Sequence, residues 1–75
     1  MQPIRFPLDS SHEHVELNQL LKLVGLCDSG GAGKALVASG VVRVDGQVEL
    51  RKTCKIRAGQ TVACEGVTIE VVAGA

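Results

Sequence analysis

The sequence predicts an α+β fold in which two packed helices are followed by a small antiparallel β-sheet. Apolar residues first recur at helical spacing, over about residues 16–25 and again over about 30–39. From residue 41 onward they alternate with polar residues at the two-residue period of β-strands. Helices followed by a run of strands are typical of the α+β class. The chain has 75 residues, and we expect residues 1–75 to form a single domain.

The first helix is predicted from four aliphatic residues that share one face. Leu17, Leu20, Leu21 and Val24 stand at positions i, i+3, i+4 and i+7, which form one side of an α-helix. Gly25 ends this pattern. We therefore expect the helix over about residues 16–25, with its aliphatic side buried.

The second helix is predicted to begin after Ser29 and to end before Gly40. The Ser29 hydroxyl can accept a hydrogen bond from a free backbone N–H of the first turn. Leu36 and Val37 define the buried side, and Gly33 on the same side allows a close approach of another element. Gly40 suits the left-handed conformation that commonly follows a helix.

Two hairpins are predicted in the second half of the chain. Asp45-Gly46 lies between two alternating runs, and both central residues of a type I′ turn need a positive φ. Glu65-Gly66 separates a second pair of such runs, and Ala58-Gly59 supplies the turn that leads into them.

The segment before the first helix gives weaker signals. Residues 3–8 contain two prolines and are expected to form an edge strand at most, whereas the polar residues 9–14 are expected to form a loop. Residues 1–7 contain no apolar signal-peptide segment, and no apolar run approaches the roughly 20 residues of a membrane span. The cysteines are odd in number, so we expect reduced thiols in a cytoplasmic protein. They are Cys27, Cys54 and Cys64.

Charges are balanced in number but not in position. Eight basic and eight acidic residues give a formal net charge of zero, which argues against a polyanionic partner. From residue 34 to residue 57, however, six basic residues and two acidic ones give a net charge of +4. The six are Lys34, Arg43, Arg51, Lys52, Lys55 and Arg57. Such a cluster indicates phosphate contacts, and its alternative interpretation is a solvated loop.

The segment Ser29-Gly30-Gly31-Ala32-Gly33-Lys34 is the most distinctive motif. A glycine-rich helix start exposes backbone N–H groups and the positive end of the helix dipole, and so can hold a phosphate. It is not a nucleotide-binding P-loop, which needs Gly where Asp28 stands and Ser or Thr where Ala35 stands. The alternative interpretation is a serine-capped turn between two helices.

Nothing in the sequence indicates an enzyme, a metal or another cofactor. His12 and His14 flank Glu13, but no further ligands stand at metal-binding spacing. The carboxylates are not grouped for acid–base chemistry, and no Cys–His pair is indicated by spacing. A thiol-based metal or redox site is a third and weaker hypothesis, and isolated cysteines in a small core are usually buried apolar residues.

Together, these segments resemble the alpha-L motif, the RNA-binding domain named after small-subunit ribosomal protein four. That family has a Leu-rich first helix, a serine that opens the second, a Gly, a Val-x-Val-Asn-Gly hairpin, a basic segment and a final turn. The matching segments here are Leu17–Lys22, Ser29, Gly40, Val42–Gly46, Arg51–Arg57 and Ala58–Gln60. The motif core covers about residues 17–62.

The resemblance is strongest to small stand-alone bacterial members of that family. Their features are matched here by Leu20-Leu21-Lys22, Ser29-Gly30-Gly31, Lys34, Glu49-Leu50-Arg51-Lys52 and Lys55. Three residues depart from the wider family pattern. Gly30 stands where larger relatives carry Arg, Asp45 replaces the hairpin Asn, and Gln60 replaces the turn Asp.

The resemblance implies a protein that binds structured RNA, such as ribosomal or transfer RNA, through phosphate and shape recognition. We expect a monomer, with no membrane or DNA partner. The implied RNA-binding residues are Lys22, Ser29, Gly30, Gly31, Lys34, Arg43, Arg51, Lys52, Lys55 and Arg57. The alternative is a protein-interaction module of the translation or ribosome machinery that does not bind RNA directly, which the zero net charge and Gly30 favour.

Overall fold

The computed structural model describes residues 3–9 and 11–74. They contain two helices and seven short strands, which are joined by turns and loops. Met1, Gln2, Ser10 and Ala75 lie outside the described residues, so the predicted unit 1–75 and loop 9–14 are described without them. The helices are α1 (Leu17–Leu23) and α2 (Gly30–Ala38). The strands are β1 (Ile4–Leu8), β2 (Val15–Glu16), β3 (Val42–Val44), β4 (Gln47–Val48), β5 (Lys55–Ile56), β6 (Thr61–Cys64) and β7 (Val67–Ala73). The predicted α+β class is confirmed.

Helix α1 is shorter than the predicted range of 16–25. Glu16 belongs to strand β2 and pairs with Lys55 of β5, which keeps it out of the helix. At the other end the chain leaves the helix through a turn at Gly25, whose φ is 87°. Glycine adopts this left-handed conformation without steric cost. The prediction that Gly25 ends the helical pattern is therefore confirmed.

Helix α2 begins and ends where the sequence predicts. The Ser29 hydroxyl accepts a hydrogen bond from the Ala32 backbone N–H at 3.1 Å, which satisfies one of the free donors of the first turn. Gly40 follows the helix with a φ of 84°. The predicted cap and stop are therefore both confirmed.

The main sheet has five strands in the order β1-β7-β6-β3-β4. Both predicted hairpins form, and their turns have positive φ at Asp45 (51°), Gly46 (85°), Glu65 (50°) and Gly66 (82°). The sheet is mixed rather than purely antiparallel, because β1 joins the edge parallel to β7. Strands β2 and β5 form a separate two-stranded antiparallel sheet. A pair of two-residue strands has no periodicity of its own, and the sequence did not predict it.

The core lies between the two helices and one side of the main sheet. Leu17, Leu20 and Leu21 of α1 are fully buried, as is Val37 of α2. They form one cluster with alternate residues of the strands, which are Val42, Val62, Cys64, Ile69 and Val71. Ile56 of β5 is also fully buried, and it ties the basic segment that precedes it to the core.

Candidate functional site

An open groove of about 760 Å³ brings together four of the predicted site residues. Lys34 comes from α2, Arg51 and Lys52 come from the segment between β4 and β5, and Lys55 is the first residue of β5. We call this feature the basic groove. Its lining residues are Lys34, Leu50, Arg51, Lys52, Thr53, Cys54 and Lys55.

A close contact between the two helices explains why Lys34 reaches the basic groove. Gly33 is buried against Asn18, and a Cβ at Gly33 would lie 2.5 Å from the Asn18 carbonyl oxygen. The Asn18 backbone N–H in turn donates to the Lys52 carbonyl at 3.1 Å. Asn18 thus contacts both sides of the groove. Because Gly33 lacks a side chain, α2 packs closely enough to place Lys34 beside the loop that carries Lys52.

The loop from Arg51 to Cys54 is fixed by backbone hydrogen bonds. The first backbone N–H groups of a helix have no partner within the helix, and in α1 two of them donate to this loop. Leu17 N–H bonds the Cys54 carbonyl at 2.8 Å, and Asn18 N–H bonds the Lys52 carbonyl. The Cys54 N–H closes the loop on the Arg51 carbonyl at 3.2 Å. The basic residues therefore stand on a segment whose backbone is held by α1.

A carboxylate from Glu49 holds the guanidinium of Arg51. Oε2 of Glu49 accepts from Arg51 Nε at 3.0 Å, and Oε1 accepts from Nη2 at 3.0 Å. These hydrogen bonds, with one from the Arg51 backbone N–H, lower the pKa of Glu49 to about 2. Glu49 was not predicted as a site residue. The Glu-x-Arg spacing was the one signal in the sequence that could have indicated the pair.

Cys54 lies beside this ion pair but is not activated by it. Its Sγ is 3.6 Å from both Arg51 Nη2 and Glu49 Oε1. Burial and the neighbouring Glu49 carboxylate raise the pKa of the Cys54 thiol, which keeps it protonated and poorly nucleophilic near neutral pH. Burial also raises the pKa of Cys27 and of Cys64. All three cysteines are free.

Three other predicted basic residues lie apart from the basic groove. Arg57 faces a different depression, where its Nη1 is 3.8 Å from Glu13 Oε2. Arg43 is exposed on β3 opposite Val48 of β4, and Lys22 is exposed in the last turn of α1. The structure therefore does not gather the whole predicted set on one groove.

The glycine-rich start of α2 lies on the α1 side of the molecule. The Gly30 carbonyl accepts a weak hydrogen bond from Asn18 Nδ2 at 3.4 Å. Gly31 is exposed, and a Cβ added there would meet only the Ser29 hydroxyl, at 3.9 Å. Through Asn18, the helix start is connected to the same loop that carries Lys52.

The described residues carry neither a metal-binding cluster nor a membrane-spanning helix. Across residues 3–9 and 11–74, no group of three or more His, Cys, Asp or Glu side chains could hold a metal ion. Neither described helix has the length and apolar character needed to cross a membrane.

The fold and the sequence together define the family. Residues 7–72 match the family model of the S4 domain, and the chain belongs to this family. The YbcJ protein of Escherichia coli strain K12 is 56% identical over 62 residues, which cover 83% of this chain and 89% of that protein. YbcJ of Shigella flexneri matches with the same identity and coverage.

A solved structure gives the same result. The solution structure of E. coli YbcJ has a TM-score of 0.72 and 50% identity to this chain, and the match covers 96% of this chain and 90% of that one. The YbcJ structure is described as revealing an alpha-L motif involved in RNA binding. The predicted alpha-L family is therefore confirmed.

Proposed function

We propose that this protein binds structured RNA in the basic groove and at the adjoining start of α2. It acts as a cytoplasmic monomer, without catalysis or a cofactor. One observation carries the proposal, namely that Lys34 shares a groove with Arg51, Lys52 and Lys55 although it is remote from them in sequence. The alpha-L motif of the YbcJ relative, which is described as involved in RNA binding, supports the same class of ligand.

The chemistry of the groove favours phosphate and shape recognition over base stacking. Lysine and arginine side chains bind phosphate oxygens and fix the position of a nucleic acid. Single-stranded RNA is usually held by stacking its bases on aromatic side chains, but the chain has one aromatic residue, Phe6. Phe6 lines a different depression, on the side of Leu8 and His12. A folded RNA such as ribosomal or transfer RNA is the ligand that fits.

The first test is RNA binding by the parent and by Lys34→Ala, titrated at several salt concentrations. The RNA for these titrations is identified by crosslinking the protein in cells and sequencing the attached RNA. Losing one phosphate contact should weaken binding and flatten the log–log salt slope by roughly one unit. Arg5→Ala is the control, because Arg5 is exposed on β1, at the sheet edge opposite to β4. Equal effects of the two substitutions would contradict the proposed groove.

The second test addresses the start of α2. Position 31 is open, so Gly31→Glu should fold normally, and a carboxylate in a first turn is mildly favourable to the helix dipole. It would nevertheless repel an RNA phosphate at this position. Gly31→Gln is the matched neutral control. RNA binding by Gly31→Glu that equals that of Gly31→Gln would show that the helix start is only a turn.

A second candidate function is protein interaction, which exposed aliphatic residues favour. Val41, Val48 and Leu50 are 43%, 51% and 60% exposed, and Leu50 also lines the basic groove. Binding through such residues depends weakly on salt, whereas phosphate contacts give a steep dependence. The salt titration therefore separates the two candidates.

A further inference from the structure

Glu49 is an acidic residue held rigidly beside the basic groove. Its backbone N–H donates to the Val42 carbonyl of β3 at 3.0 Å, which fixes its main chain directly after β4. Its Oε2 also accepts from the Arg51 backbone N–H at 2.9 Å. The Glu49 side chain is only 16% exposed, whereas that of Arg51 is 77% exposed. The carboxylate is thus largely buried beside the basic groove without lining it, whereas the guanidinium is exposed and lines the groove.

The Glu49 pair leaves a defined part of the Arg51 guanidinium free. A guanidinium carries five N–H donors in a fixed plane. Nε and Nη2 donate to Glu49, and Nη2 also contacts Cys54 Sγ. Among the described residues, the two N–H groups of Nη1 have no acceptor. Arg51 is therefore held in one orientation with its Nη1 edge available.

We propose that Glu49 is a positioning residue for RNA binding, which holds Arg51 so that its Nη1 edge meets a phosphate in the basic groove. This inference rests on the proposed function. A long exposed side chain normally loses rotamer freedom when it binds, and an already ordered one avoids this cost. The energetic benefit of Glu49 therefore comes from order, since its own charge opposes RNA.

These two effects of Glu49 have opposite signs, so one substitution separates them. Glu49→Gln keeps the size of the side chain but removes the negative charge and the bidentate carboxylate. If charge alone mattered, the four basic residues of the groove would lose their acidic neighbour, and binding would tighten. If positioning dominates, binding weakens by roughly threefold to tenfold, the cost of ordering one long side chain.

The experiment measures binding of purified bulk transfer RNA to the parent and to Glu49→Gln, with thermal unfolding as a check on folding. The same substitution is then made in an Arg51→Lys background, because a lysine cannot form the bidentate pair. We expect Glu49→Gln to weaken binding when Arg51 is present and to leave it equal or tighter in the Arg51→Lys background. Damage to the loop as a whole would weaken binding in both backgrounds and would overturn the inference.

The failure of this inference differs from the failure of the proposed function. If the parent binds transfer RNA and Glu49→Gln binds it more tightly, the positioning role is wrong and RNA binding stands. If the parent binds neither transfer RNA nor the RNA identified by crosslinking above the level of a variant with Lys34→Ala, Lys52→Ala and Lys55→Ala, the proposed function fails, and the positioning role fails with it.

Discussion

Replacing Gly33 by alanine should destabilise the protein although alanine is the better helix former. In a helix interior, alanine is favoured over glycine by about 0.8–1.0 kcal/mol. A Cβ at Gly33 would, however, lie 2.5 Å from the carbonyl oxygen of Asn18 and 3.1 Å from its Cα. Ordinary contacts between heavy atoms lie near 3.5–4.0 Å, so α1 and α2 have to separate by about 1 Å.

The obstacle at Gly33 is backbone, which cannot swing aside as the end of a side chain can. Overpacking of this kind costs about 1–3 kcal/mol, and a backbone obstacle places Gly33→Ala near the upper end. After the gain in helix propensity, the free energy of unfolding should fall by about 1–2 kcal/mol. For a chain of this size, this corresponds to a decrease in Tm of about 5–15 °C.

Gly31→Ala is the matched control, because the added Cβ meets only the Ser29 hydroxyl at 3.9 Å. Denaturant and thermal unfolding of both variants and the parent measure the difference. We expect Gly31→Ala to leave the Tm unchanged or higher. A Gly33→Ala protein as stable as the Gly31→Ala protein would refute the close helix contact, and with it the explanation for the position of Lys34.

Three further predictions concern the cap, the pH dependence and the acidic residues. Ser29→Ala removes the acceptor for the Ala32 N–H and should lower the free energy of unfolding by about 0.5–2 kcal/mol in denaturant titrations. Because Arg51 lowers the pKa of Glu49 to about 2 from the ordinary 4.5, stability from this pair is complete above pH 4.5 and is lost as the pH falls toward 2. The parent should therefore lose more stability than Glu49→Gln over that range in acid titrations, and parallel curves would contradict the pair. Asp28→Asn combined with Glu65→Gln should change RNA affinity less than about twofold at 0.15 M salt. The change should be larger at 0.01 M salt, where the Debye length is about 30 Å. An equal change in affinity at both salt concentrations would contradict the screening of these two acidic residues.

Local features of the sequence predicted most of the fold. The helices followed from aliphatic spacing and the Ser29 cap, and the hairpins followed from Asp45-Gly46 and Glu65-Gly66, whose backbone has the positive φ that such turns need. The two pairings that the sequence did not predict are both remote along the chain. Strand β1 pairs with β7 in the register Ile4 to Ile69, and two-residue strands form the β2–β5 sheet. Pairings of this kind depend on the tertiary fold, so neither periodicity nor turn residues indicate them.

The residues that assemble the candidate site were harder to predict than the residues that line it. Lys34 and Lys52 were indicated by charge and by the resemblance to the alpha-L motif. Asn18 contacts both sides of the groove through its backbone, but the sequence did not indicate this role. A polar residue between leucines of an amphipathic helix is normally exposed. In the structure it is 2% exposed. Glu49 was missed for a related reason, since an ion pair to a neighbouring arginine depends on side-chain orientation.

The zero net charge does not weigh against RNA once the charges are placed on the structure. Lys34 lines the basic groove, whereas Ala32 and Leu36 line a depression with the acidic residues Asp28 and Glu65. Positions two residues apart on a helix are related by a rotation of about 200° and so point in nearly opposite directions. Helix α2 therefore separates the two surfaces. The molecule measures 33 × 25 × 21 Å, and the Debye length at physiological salt is about 8 Å. A phosphate in the basic groove therefore meets the field of the nearby lysines, while the acids beyond α2 are screened.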